Sequence, residues 1–307
     1  MSLIAESYTE DNERSRAMGI AMGGYALGIL VGYPFGGLLY AVSGKTAPFV
    51  GIFVFCLINI GIQFWCLDDI AEINKVQMKS ASLHRLLLDP YILLCAGSLM
   101  ITSMSLAVLE STVPIWVMDT MGAQQWQLGL IFIPDSVGYL VGTNSFPVIA
   151  RKYGRWKFTC GSMFLIGIGM LVIPFCKSMG QLLVPHLSLG LGVGVTDAAI
   201  MPLLALLIDQ RHVSTYGSVY AIVQLAVCLA YSLGPAVAGQ IVRLFGFKWS
   251  IWGMAILNLL FLPLCVFLKS PPVEEDSQCI LQEINKGEET TNEDKRTTAK
   301  YHSFYSE

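Results

Sequence analysis

Charge is scarce in this 307-residue chain. Asp, Glu, Lys and Arg make up 13% of it, against 54% hydrophobic residues. A soluble domain is nearer a quarter charged, so this composition, with mean hydropathy +0.60, points to lipid. The net charge of −3 lacks the basic surplus that nucleic acid requires. The eight cysteines form no CxxC pair and no metal-ligand spacing. Cys56, Cys95, Cys228 and Cys265 sit inside apolar runs and read as small hydrophobes. There is no N-x-S/T sequon, and the opening stretch MSLIAESYTEDNERSR is too polar and acidic for a signal peptide. No nucleophile elbow, phosphate loop or metal cluster occurs, which argues against an enzyme.

Long apolar runs, by contrast, are plentiful. A helix needs about 20 apolar residues to cross about 30 Å of hydrocarbon. Eight runs qualify: 17–43, 48–67, 91–118, 126–150, 156–176, 181–208, 216–242 and 249–268. The sequence thus predicts an all-α membrane protein with eight transmembrane helices. Its loops are short except 68–90, and the polar tail 270–307 reads as disordered. Eleven Lys or Arg residues fall in the loops and ends of one side, from Arg14 to Lys269, and four (Lys45, Lys177, Arg243, Lys248) on the other. That bias places both termini in the cytosol.

Three runs contain an acid: Glu110, Asp135 and Asp197. No run interior holds a Lys or Arg to pair with them. A charge at bilayer depth costs at least ~2.5–3.5 kcal/mol, so by default it marks function. A carboxylate buried without a counter-charge takes up a proton or waits for a cation. Glu110 precedes Pro114 and Trp116 on the next turns, and an acid near an aromatic suits an organic ammonium. Asp197 follows Gly190, Gly192 and Gly194 and precedes Pro202, so its helix can bend or approach a neighbour closely; it is the candidate proton carrier. Asp135 follows Pro134, where it could cap a broken helix or face a water cavity. The plainer alternative for Glu110 and Asp197 is a structural hydrogen bond. Phe132, Tyr139, Tyr220 and Tyr231 are candidates to line a cavity, ordinary packing being the plainer reading. His186, near a helix end, and His212, in a loop, read as solvated bystanders.

The stretch Gly28, Gly32, Pro34, Gly36, Gly37 predicts close helix approach and a kink. The turn Arg151-Lys152-Tyr153-Gly154-Arg155-Trp156-Lys157 is either a positive-inside anchor or a latch between helices. A shift of 202 residues lays Gly32 on Gly234, Gly37 on Gly239 and Gly44 on Gly246. Unless the glycines coincide by chance, this is a parallel repeat of the kind found in transporters built from two six-helix halves. The first and seventh runs would then be helices five and eleven, with four helices missing ahead of Met1.

The segments TEDNERSRAMGIAMGG, GKTAPF, DPYILLCAGS, LESTVPIWVM, WQLG, YLVGTN, RHVSTYGSVYAI and LKSPP resemble the vesicular amine transporters of the major facilitator superfamily, the monoamine branch more than the acetylcholine branch. The resemblance covers nearly the whole chain. It implies helices 5–12 of a twelve-helix proton antiporter. Residues 1–67 would end the first half, 68–90 would be the central cytosolic loop, 91–269 the six-helix second half and 270–307 the cytosolic tail. It implies a small organic cation and protons as the species handled, a proton gradient in place of a cofactor, and a secretory or synaptic vesicle membrane as the location. By position, Glu110 matches the ammonium-binding glutamate and Asp197 the proton-linked aspartate. Trp116, Phe132, Tyr139, Tyr220 and Tyr231 match gate or pocket aromatics, and Gly28–Gly37 resembles the antiporter motif, with Tyr33 where proline is usual. Glu274, Glu275, Ile280 and Leu281 resemble an acidic dileucine signal for sorting adaptors.

The chain also departs from the family. Gln224 replaces a membrane aspartate, Gly122 a disulfide cysteine, and Ser103 and His186 asparagines, whereas Asp135 is an added acid that could replace the charge lost at Gln224. The rival expectations are a non-transporting form that binds the full-length transporter, and an exporter of acetylcholine or another organic cation.

Overall fold

The computed structural model describes residues 1–8, 10–67, 86–211 and 216–269, and every regular element in them is helical. A short α1 (Ser2–Ser7) leads into α2 (Asp11–Ser43) and α3 (Thr46–Leu67). There follow α4 (Pro90–Met121), α5 (Gln125–Leu130), α6 (Ile133–Tyr153), α7 (Arg155–Val172), α8 (Met179–Arg211), α9 (Tyr216–Phe245) and α10 (Phe247–Cys265). The expected sorting signal at Glu274, Glu275, Ile280 and Leu281, His212, and residues 68–85 of the central loop lie outside the described residues.

Local chemistry sets the helix ends. The Asp89 carboxylate accepts the Tyr91 N–H at 2.9 Å, Pro90 opens α4, and Gly122 closes it at φ 65°. Gly44 and Gly246 close α2 and α9 at φ 78° and 92°, and their N–H groups donate to the Tyr40 and Val242 carbonyls. Those residues are 202 apart in both cases, so the turn geometry repeats with the same offset as the glycines.

Seven helices among the described residues are long and apolar enough to cross a membrane. The run 126–150, expected as one span, is a correction: it is divided into α5 and α6 by a turn at Ile131–Phe132, with Pro134 in the first turn of α6. Proline suits a helix start because the missing N–H has no partner there. The 21-residue α6 is still about 31 Å long, but Asp135, Ser136, Thr143 and Asn144 dilute its hydropathy.

The core has two layers along the bundle axis. Leu86, Ile92, Leu204, Leu207, Val219 and Leu268 pack at the end bearing the basic turn. Val113, Val117, Ile173, Leu182 and Ile251 pack toward the opposite end. Buried polar pairs bind helices across the layers: Asn258 Nδ2 donates to Ser105 Oγ at 2.6 Å, and the Ser162 and Thr196 hydroxyls lie 2.7 Å apart. The outer surface is apolar, with Phe64 75% and Trp65 84% exposed on α3, as lipid contact demands.

Close approach does occur at glycines, but elsewhere than at Gly28–Gly37. Gly28, Gly32, Gly36 and Gly37 have no atom within 4 Å of a would-be Cβ, because no described helix covers that face of α2. Instead Gly138 and Gly142 of α6 interlock with Gly190 and Gly194 of α8, backbone against backbone. A Cβ at Gly190 would run into the Asp135 carbonyl, and one at Gly194 would sit 2.6 Å from the Tyr139 carbonyl. Gly190→Leu is expected to destabilise the bundle by about 3 kcal/mol, the upper end for overpacking, whereas Gly28→Leu leaves stability unchanged. Thermal melting of both variants in detergent checks the pair; equal melting temperatures would refute the interlock.

Candidate functional site

Five helices enclose a cavity of about 260 Å³. Tyr25 and Ile29 come from α2, Ser103 and Leu106 from α4, Asp135, Ser136 and Tyr139 from α6, Val193 and Asp197 from α8, and Gln224 and Tyr231 from α9. The glycine interlock positions two of these walls. It sets Asp135 beside Gly190 and Tyr139 beside Gly194, so the Tyr139 hydroxyl reaches along α8 and donates to Asp197 Oδ2 at 2.7 Å. Tyr25 packs edge-on to the Tyr139 ring at 6.0 Å. Met1, at the N-terminus, also lines the cavity, and no Lys or Arg does among the described residues. Asp135 is 4% exposed, and its Oδ1 has no hydrogen-bond partner among the described residues.

Four of the expected site residues therefore meet in one place: Asp135, Asp197, Tyr139 and Tyr231. The others do not. Glu110 lies outside the lining and accepts a hydrogen bond from the Tyr33 hydroxyl. Tyr33 stacks on Phe132 at 5.2 Å, and Phe132 meets the His186 ring edge-on at 5.8 Å. Along α6 and α8 this Glu110–Tyr33–Phe132 cluster sits beyond Asp135, toward the end opposite the basic turn. Trp116 is far along α4 from the cavity, stacked on Phe247 at 4.4 Å, so it is no companion to Glu110. Tyr220 is a packing residue whose hydroxyl donates to the Met201 carbonyl at 2.8 Å.

His186 corrects an expectation. It is 1% exposed rather than solvated, with Nδ1 3.0 Å from the Leu182 carbonyl. The reason is the α5–α6 break, which folds Phe132 over this turn of α8.

At the basic end, a charge clamp ties α2 to the rest. Arg155 Nη2 donates to Asp11 Oδ1 at 2.7 Å and to Ser15 Oγ at 3.0 Å, and Arg151 Nε lies 3.7 Å from Asp11 Oδ2. Arg14 pairs with Asp209 at 2.6 Å and donates to the Tyr8 carbonyl at 2.7 Å. Tyr216 donates to the other Asp209 oxygen, and the Arg14 guanidinium lies 5.7 Å over the Tyr216 ring. In the 151–157 turn, Arg155 and Arg151 contact Asp11. Sequence reading missed Asp11, Arg14 and Asp209 because nothing in their spacing announces partners more than a hundred residues away.

Relatives of known description share most of the chain. The Synaptic vesicular amine transporter of Mus musculus is 44% identical over 285 residues, 93% of this chain and 55% of that protein. The Chromaffin granule amine transporter of Homo sapiens is 43% identical over 283 residues, 92% of this chain and 54% of that protein. The Probable vesicular acetylcholine transporter-B of Danio rerio is 38% identical over 272 residues, 88% of this chain and 55% of that protein. The chain spans about half the length of these curated relatives. The profile of the Major Facilitator Superfamily matches residues 1–221. On that match, and with its long apolar helices arranged around a central acidic cavity, the chain belongs to the Major Facilitator Superfamily.

Proposed function

We propose that this chain carries the cargo site of a proton-coupled antiporter that loads monoamines into secretory or synaptic vesicles. The observation that supports it most is a cavity lined by two carboxylates and by Tyr25, Tyr139 and Tyr231, with no Lys or Arg among its described lining residues. Two negative charges in lipid call for two positive ones, and an ammonium plus a proton satisfies them. Tyrosine faces add cation–π attraction. The relatives' descriptions as amine transporters agree with this chemistry.

In this reading α2 and α3 end the first half of the transporter, α4–α10 make the second, and the clamp end faces the cytosol. Asp197, held by Tyr139, exchanges the proton. The clamp and the Glu110–Tyr33–Phe132 cluster close the cavity at its two ends, and access alternates as one opens while the other holds. Bound proton and bound amine shift that balance only by their differential affinity for the two states. The C-terminal tail, in the same reading, meets sorting adaptors.

The test is reconstitution of the chain into liposomes with an acidic interior, followed by labelled serotonin uptake. Accumulation that collapses with a protonophore is the expected result. Uptake of acetylcholine in its place would favour the organic-cation exporter. A second reading has its own observation: the uncovered glycine face of α2 and the exposed α3 suit a chain that packs against a longer relative without transporting. Absent uptake together with co-purification of the two proteins would favour it.

A further inference from the structure

We propose that the valley between α6 and α7 holds an anionic phospholipid from the leaflet at the basic end, its acyl chain in the valley and its headgroup on Lys157 and Lys152. The site stands apart from the cargo cavity. Leu191 and Val195 of α8 turn to the valley, whereas Val193 and Asp197 turn to the cavity.

The fold itself makes the valley. α6 and α7 meet at a tight turn at Gly154, φ 103°, and each then packs mainly on α8. Gly138 and Gly142 of α6 interlock with Gly190 and Gly194, while Ser162 of α7 meets Thr196 and Ile166 presses on Gly192. Between α6 and α7 a space of about 460 Å³ stays open. Gly161 helps to keep it so, because nothing lies within 4 Å of where its Cβ would be.

The walls suit a lipid tail. Phe146 of α6 and Leu165 of α7 line the space above Leu191 and Val195. The Ser162 hydroxyl beside them is already bonded to Thr196 at 2.7 Å. From Lys157 to Leu165 the valley runs about 12 Å along α7, which fits within one leaflet's half of a hydrocarbon core about 30 Å thick. Burying a chain here gains little over burying it in bulk lipid, so the headgroup decides which lipid stays.

The mouth of the valley is cationic. Arg151 and Arg155 share the Asp11 carboxylate, but Lys152 and Lys157 meet no carboxylate among the described residues. Their ammonium groups lie over the Tyr153 and Trp156 rings at 5.4 and 5.7 Å, and that of Lys269 lies over Trp156 at 5.9 Å. Three lysines thus gather on an aromatic shelf, and Tyr and Trp are the residues that mark the membrane–water interface. Basic pockets between spans at that level recruit acidic headgroups, whereas a zwitterionic headgroup brings no net charge to meet the lysines.

The experiment exchanges the purified full chain into mixed micelles with palmitoyl-oleoyl phosphatidylserine or the matching phosphatidylcholine, and native mass spectrometry reads the lipid retained. The wild type is expected to hold phosphatidylserine at least about tenfold more tightly. Lys157→Gln should weaken phosphatidylserine about fivefold, the contribution of one lysine beside an anionic surface, and leave phosphatidylcholine unchanged. Gly161→Leu fills the valley and should bring phosphatidylserine down to the level of phosphatidylcholine. Leucine favours a helix over glycine, so thermal melting should not fall. Lys45→Gln, at the opposite end, should alter nothing. Equal retention of the two lipids by the wild type would mean an annular coat only and would overturn the site, as would a preference that survives both Lys157→Gln and Gly161→Leu. A diazirine on the acyl chain of phosphatidylserine gives a check without variants: crosslinks should fall on residues 146–165 and 191–195, and crosslinks confined to other helices refute the placement.

Discussion

Asp197→Asn is expected to lower proton-driven amine accumulation about a hundredfold at a two-unit pH difference across the membrane, while amine binding survives. The figure comes from the gradient itself: each pH unit supplies 1.36 kcal/mol per coupled proton, about a factor of ten in concentration. An amide in place of the carboxyl can still accept the Tyr139 hydroxyl, whose bond to Asp197 Oδ2 is 2.7 Å, so the wall keeps its shape. It can no longer take up and release a proton, and the share of the gradient carried through this position is lost. Equilibrium binding of labelled serotonin should change less than about fivefold, because the ammonium partner is untouched. Comparison of binding, amine-for-amine exchange and net accumulation separates coupling from folding. Accumulation equal to wild type would remove Asp197 from proton coupling.

The second large effect is expected at the clamp. Asp11→Asn should destabilise the closed basic end by about 3 kcal/mol, because removing one partner of a buried pair leaves the other charge stranded. Arg155, 7% exposed, loses its counter-charge and keeps the neutral Ser15 hydroxyl and the substituted amide oxygen as acceptors. Asp11 itself is 30% exposed, which holds the figure at the lower end of the range for buried pairs. In equilibrium terms about 3 kcal/mol is more than a hundredfold, so amide hydrogen exchange across residues 11–19 should accelerate by that order. Arg151→Ala is the contrast. At 3.7 Å and 42% exposure it is a surface pair worth under about 1 kcal/mol. Unchanged exchange in Asp11→Asn would show that this network holds nothing shut.

Much of the architecture was legible because membrane insertion imposes few options. Apolar length alone gave the positions of seven spans, and the 202-residue offset surfaces again in the matched turn geometry of Gly44 and Gly246. The acids stood out too, since no Lys or Arg in the run interiors accompanies them. What sequence could not give was direction around a helix. Glu110 and Trp116 lie close in sequence, yet one turns to Tyr33 and the other to Phe247. The Gly28–Gly37 stretch reads as a packing face, whereas the packed glycines are Gly138, Gly142, Gly190 and Gly194. Small residues announce that an approach is possible, and the partner helix decides whether it happens. Asp11 and Arg155 look like ordinary loop charges until the fold brings them within 2.7 Å.

The backbone interlock of α6 with α8 has a consequence for selectivity. Asp135 belongs to one of these helices and Asp197 to the other, yet the locked glycines prevent them from sliding past each other. The Gly190 and Asp197 levels of α8 are about 10 Å apart along its axis. The two acids then act as a ruler of fixed length inside a container whose other walls move. Under the transport reading proposed above, a cargo would be measured against this ruler whichever end of the cavity is open.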